Sequence, residues 1–227
     1  EPFGIFLDNP GKVTFDIGYT QQDTAVITMD NWDMDLYYID GKDLKDIVQQ
    51  FRHMIGRSYI PPKWAFGYGQ SRWGYKCEDD VRQVEQRYRE LDIPLDSIYL
   101  DIDYMERFKD FTLNDETFPN FPEFVKEMQE KHIHLVPIID AGVKIEEGYP
   151  VYEEGVEKGY FCKDEEGKDF VAAVWPGRVH FPDMLNPEAR RWFGLKYKFL
   201  LEQGIDGFWN DMNEPAIFYS EKRLEKV

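Results

Sequence analysis

The chain of 227 residues carries 27 basic and 44 acidic side chains, a formal net charge of −17, which excludes the basic footprint that a nucleic-acid backbone requires. Hydrophobic residues make up 42% and aromatics 16%, too many for a solvated acidic tail and enough for a sizeable core. Two cysteines, Cys77 and Cys162, are too few for a disulfide framework, lack zinc-ligand spacing, and read as idle thiols.

No apolar run reaches the roughly 18 residues of a membrane span, so no membrane partner is expected. The opening EPFGIFLDNPGK lacks a basic and then an apolar segment. No secretory leader is therefore expected, and a cytoplasmic setting is.

The first 40 residues read as strands and turns. Val13, Phe15 and Ile17 alternate with polar neighbours after the turn signal Asn9-Pro10-Gly11, and residues 24–29 and 34–39 predict two more strands. Leu44, Ile47, Val48, Phe51 and Ile55 then fall at helical spacing, with Asp43 as N-cap and Gly56 just past the end. From Trp64 the pattern becomes strand, loop, helix, repeated. Strands are predicted over 64–70, 97–103, 134–140 and 206–211. Helical faces are marked by Val81, Val84, Tyr88 and Leu91, by Phe124, Val125 and Met128 after Asn120, and by a longer helix running from Asn186 to near Gly204. Residues 141–185 show no strong period, and a connection that long in a compact domain usually carries function.

Four consecutive βα units predict a parallel sheet with helices outside it, and in such sheets ligands sit beyond the strands' C-terminal ends. Asp101, Asp103, Asp140 and Asp211 all stand at predicted strand ends. Carboxylates converging on one pocket suit glycoside hydrolysis, in which one can attack while another moves protons. Trp73, Trp175 and Trp209 near those ends suit a sugar's apolar faces. Taken singly, the same residues also fit a plain structural reading, with the tryptophans in the core and the acids at helix N-termini. The spacing Asp101-Ile102-Asp103 also fits a metal-dependent glycosyltransferase, although both carboxylates reach one ion only if the strand has already ended. His53, His132, His134 and His180 show no ligand spacing.

GFWNDMNEPA (207–216) resembles the W-x-D-M-N-E signature of glycoside hydrolase family 31, the retaining α-glucosidases and α-xylosidases. Three more segments resemble the family in its own order: PPKWAFGYGQSRWGY (61–75), IPLDSIYLDIDYMERFKDFTLN (93–114) and VWPGRVHFPDMLNPEARRWF (174–193). The resemblance implies an α/β fold, a (β/α)8 TIM barrel preceded by an N-terminal β-sandwich. It divides the chain into closing sandwich strands (1–42), a linker helix and barrel entry (43–63), and the first four βα units (64–227) with an insertion at 141–185.

By the same resemblance Asp211 aligns with the catalytic nucleophile and Glu214 with an acid that supports it. Asp101, Ile102, Trp73, Ile138, Trp175, Trp209 and Met212 align with positions lining the sugar site, while Asp103 and Asp140 align with positions behind it. Neither metal nor cofactor is implied, and the substrate is an α-glucoside oligosaccharide.

Residues 64–227 fall well short of the roughly 250 that a barrel needs, and the family's general acid/base follows the nucleophile. The expectation is thus a piece of a retaining exo-acting α-glucosidase, completed by the remainder of the barrel in the same polypeptide or a second chain. An α-xylosidase or a catalytically silent sugar-binding member of the family is the alternative.

Overall fold

The computed structural model describes residues 2–30 and 33–220; the end of the expected barrel segment, 221–227, lies outside them. The chain separates into two compact units, residues 1–60 and 61–227.

The first unit has four strands: β1 (Phe3–Asp8), β2 (Val13–Ile17), β3 (Ala25–Met29) and β4 (Asp35–Asp40). β1 pairs antiparallel with β4 and β2 with β3, giving two separate two-stranded ladders. Helix α1 (Leu44–Ile55) begins and ends as its sequence predicts. The Asp43 carboxylate accepts from the Asp46 N–H at 2.8 Å. Gly56, at φ 100°, takes a left-handed turn that a side chain would resist.

The second unit is built on a parallel sheet of β5 (Gly69–Ser71), β6 (Ser97–Leu100), β7 (His134–Asp140) and β11 (Trp209–Asp211), in the order β11-β7-β6-β5. Chain order equals spatial order. α2 (Glu78–Glu90), α3 (Phe121–Glu130) and the pair α5 (Pro187–Lys196) and α6 (Lys198–Leu201) supply the crossovers. Every residue of β7 after His134 is buried, because a central parallel strand is covered on both faces and an unbroken apolar run tolerates that. Phe121, Phe124, Val125 and Met128 of α3 join Ile98, Leu100, Leu135 and Ile139 in one continuous core. Burying each large apolar side chain stabilises by about 1.5–3 kcal/mol.

Several predicted elements are shorter than their sequence patterns. The first strand does not start at Trp64: residues 63–66 form a 3-10 turn, and pairing begins only at Gly69. Trp64 stacks on His134 with ring centroids 4.2 Å apart, and a Cβ on Gly207 would meet its ring at 2.8 Å. Its apolar character serves packing against the sheet rather than pairing within it. The second strand stops at Leu100 because Asp101 caps a 3-10 turn over Ile102–Tyr104. The fourth spans 209–211, not 206–211, and the last helix breaks at Tyr197.

The 141–185 connection is ordered. It contains β8 (Val143–Lys144), α4 (Pro150–Lys158), β9 (Ala172–Val174) and β10 (Gly177–His180). These strands and β12 (Tyr219–Ser220) form an antiparallel sheet in the order β12-β9-β10-β8. That sheet has its own small core of Ala172, Val174, Val179 and Phe181. Strands of two to four residues are too short to show a period.

Candidate active site

The sheet's register sets the site. β6, β7 and β11 end side by side, with Asp211 paired to Asp140 and Trp209 to Ile138. Paired residues in neighbouring strands project to the same face, and so do residues two apart. Ile138 and Asp140 of β7 therefore share a face with Trp209 and Asp211 of β11. The Trp209 indole N–H donates to the Leu100 carbonyl at 3.0 Å, tying β11 to β6 across the intervening β7.

Above these strand ends lies a cavity of about 250 Å³ lined by Trp73, Asp101, Ile102, Ile138, Trp175 and Asp211. Larger clefts exist, including one of about 710 Å³ beside α1 lined by Lys45, Arg52, His53 and Arg57, but they lack this convergence of carboxylates and flat rings. Trp73 follows β5 and is 69% exposed; Trp175, 48% exposed, forms the tight turn between β9 and β10. Phe218 meets the Trp175 ring edge to face at 5.0 Å.

The six cavity residues were all predicted site residues. The other three go elsewhere. Trp209 holds β11 to β6 and does not line the cavity. Met212 takes a left-handed backbone conformation, φ 61°, and packs against the small sheet's core. Glu214 is exposed on the turn after β11. The ion reading of Asp101 and Asp103 fares poorly on geometry: the strand has ended, yet only Asp101 reaches the cavity. Among the described residues no group of three or more His, Cys, Asp or Glu side chains is placed to hold a metal.

The carboxylates differ in environment. Asp101 accepts from the Ile102 N–H at 2.8 Å, but burial and then the Asp211 charge outweigh that bond, raising its pKa above the usual carboxylate value. Asp103 is raised by burial and then by Asp101. Asp140, only 1% exposed, is pushed up to about 7 by burial, then by the charges of Asp211 and Asp101.

Sequence reasoning missed Asp110 and Phe218. Asp110 is fully buried; its Oδ1 accepts from the Asp140 N–H at 3.1 Å, and its carbonyl accepts from the Tyr149 hydroxyl at 2.7 Å. In the run Glu106-Arg107-Phe108-Lys109-Asp110 it reads as ordinary loop charge. The aromatic residues around it, Phe108 and Phe111, were the available sign of a buried loop.

A parallel α/β sheet in simple chain order, with a sugar-sized pocket of two carboxylates and two tryptophans at its strand ends, has the architecture of a barrel glycosidase. The model for the glycosyl hydrolases family 31 TIM-barrel domain matches residues 58–227, and the chain belongs to that family. It is 43% identical to Alpha-glucosidase 2 of Bacillus thermoamyloliquefaciens over 98% of its own length, but spans only 28% of that protein. Among solved structures, the Flavobacterium johnsoniae family 31 dextranase complexed with glucose superposes with a TM-score of 0.85 at 29% identity, over 99% of this chain and 28% of the dextranase. The family 31 alpha-glucosidase of Bacteroides thetaiotaomicron gives a TM-score of 0.85 at 32% identity, over 95% of this chain and 36% of that one. The four parallel strands are thus part of a (β/α)8 barrel. Among the described residues no helix is long and apolar enough to cross a membrane.

Proposed function

We propose that the protein to which this chain belongs is a retaining, exo-acting α-glucosidase that removes terminal glucose from α-linked oligosaccharides. The observation that carries the proposal is the strand-end cavity, where Asp101 and Asp211 face a space with room for about one pyranose ring between Trp73 and Trp175. The relatives above, an α-glucosidase and a dextranase, support the same class.

In this reading Asp211 attacks the anomeric carbon while the bond from that carbon to the aglycone oxygen breaks. A general acid outside this chain protonates the departing oxygen. Water then attacks the glycosyl ester, giving its proton to the same group, and Asp211 leaves as carboxylate. Asp101 accepts hydrogen bonds from sugar hydroxyls, a role that suits a carboxylate with one oxygen already committed to its own turn. Trp73, Ile102, Ile138 and Trp175 supply apolar contact, and Glu214, Trp209 and Met212 keep β11 and its following turn in place. The span of 28% against Alpha-glucosidase 2 supports placing the acid/base elsewhere in a longer assembly. Residues 1–42 serve as closing strands of a β-sandwich and 43–63 as the lead into the barrel.

The test is Asp211→Asn in the full-length protein. Turnover of an α-glucoside falls by several orders of magnitude, and azide restores part of it as the β-glucosyl azide, since one displacement replaces two. Near-normal turnover by the variant contradicts the nucleophile assignment. Faster turnover of an α-xyloside than of the matching α-glucoside replaces glucose with xylose.

A further inference from the structure

The function above leaves two of the strand-end carboxylates, Asp103 and Asp140, without a task, and Asp140 is the more deeply buried. It is 1% exposed, and both of its carboxylate oxygens lie buried without a hydrogen-bond partner. A buried carboxylate in that state costs several kcal/mol unless it is protonated or paired. Among the described residues no cation faces it. The groups that do are Asp211 on β11, Asp101 at the end of β6, and Asp110 in the loop beneath. The phenol of Tyr104 lies close by, donating to the Ile138 carbonyl at 2.7 Å.

Asp110 is not an anionic partner. It is fully buried, its Oδ2 is also unpartnered, and burial followed by the Asp140 charge drives its pKa well above the carboxylate range. The loop that holds it is strained: Phe108 and Phe111 flank it at φ 62° and 59°, a conformation that costs bulky residues about 1–3 kcal/mol each. Phe111 is fixed there by edge contacts with Phe193 and Tyr197, both at 5.3 Å. The strain holds a neutral carboxyl under Asp140, where a cation or an apolar side chain would relieve it.

Asp211 has the complementary need. It is Asp140's register partner on the adjacent strand, about 4.8 Å away, with its side chain on the same face. Among the described residues no donor reaches its carboxylate. Asp101 already has the Ile102 N–H. Register partners on adjacent strands are side-by-side neighbours on one face, and catalytic hydrogen bonds of this kind often tighten only around bound substrate.

We propose that Asp140 is a positioning residue, carried as the neutral acid, whose O–H donates to Asp211 and aims that carboxylate at the sugar. The role rests on the nucleophile reading of Asp211. Asp140 does not touch the substrate. Its proton neutralises one of three clustered carboxyls and sets a donor rather than a second anion beside Asp211. Raising the pH removes the donor and introduces that anion in one step, and turnover falls.

The experiment compares full-length wild type, Asp140→Asn and Asp140→Ala. Infrared difference spectra read the carbonyl stretch of protonated carboxyls through a pH titration, independently of activity. The expected result is a band in wild type that titrates with a midpoint near 7 and is missing from D140N, while the Asp110 band persists to higher pH. In kinetics, D140N, whose amide still donates, retains roughly 10- to 100-fold more kcat than D140A, with similar KM. Its loss of turnover on the alkaline side is also less steep than that of wild type. Absence of the titrating band in wild type overturns the proposal whether or not the variants fold. Equal impairment of folded D140N and D140A overturns it too. Wild type with the expected band but no α-glucosidase activity overturns the functional reading instead, and with it the aiming role of the proton.

Discussion

The ladders of residues 3–40 and the parallel sheet of residues 69–211 are both made of strands, but only one of them has a core. In the first unit the strands leave Phe3, Ile5, Phe15, Ile17, Leu36, Tyr37 and Tyr38 more than 40% exposed, and among its described residues only Ile39 and Ile47 are buried. In the second, β6 and β7 are apolar on both faces and both faces are covered. The difference shows what each pattern encodes. Alternation specifies pairing and one buried face, and two strands alone cannot supply the other half of that face. A continuous apolar run specifies a position between layers, and the helices that cover it are encoded in the same segment of chain.

The sharpest way to break the comparison is to cut a large side chain from each unit of the full-length protein. Phe124→Ala empties a fully buried position in the second unit's core and should lower its stability by about 3–5 kcal/mol, read as early loss of amide protection in β6 and β7. The effect of pH comes next. Asp140 has a folded pKa of about 7, above its unfolded value near 3.9. Between those values the folded state holds a proton that the unfolded state releases, so stability declines as pH rises from about 4 to about 7 and is level above that. The decline is on the order of a few kcal/mol, belongs to the second unit alone, and is flattened in Asp140→Asn.

Smaller effects sharpen the contrast from the other side. Asp43→Ala removes the side-chain cap of α1 and should cost about 1 kcal/mol, fraying that helix without touching the parallel sheet. Phe15→Ala, at a side chain 54% exposed in β2, should change stability by no more than about 0.5 kcal/mol. If it costs as much as Phe124→Ala, the face of that ladder is covered in the full-length protein, and the contrast between the units belongs to this chain alone.

The same distinction explains what could be read in advance. β7 matches its predicted span from His134 to Asp140, and α1 matches both its caps, because an apolar run with turn signals and a complete set of cap residues are local facts. Trp64 misled because an aromatic beside a strand packs as readily as it pairs. β8, β9 and β10 were invisible because strands of two to four residues carry no period, and they are held by each other and by β12 from beyond Asp211. In the site, Trp73, Asp101, Ile102, Ile138, Trp175 and Asp211 line one cavity. Asp110 was hard to read because its burial depends on a left-handed loop packed against Phe193 and Tyr197, in and just past the end of α5, far along the chain. In sequence, only the flanking Phe108 and Phe111 set Asp110 apart from Asp115 and Glu116.

The central claim is that Asp211 at the end of β11 carries the sugar between two displacements. A 5-fluoro glucosyl fluoride of α configuration reacts in the first displacement and is slow in the second, so the ester accumulates. Peptide mass spectrometry of the full-length protein after such treatment should find the added fluoroglucosyl mass on the peptide containing Asp211, and none on that peptide in Asp211→Asn. Label on Asp101 or another carboxylate, or steady turnover of α-glucosides with no covalent adduct at all, would contradict the account.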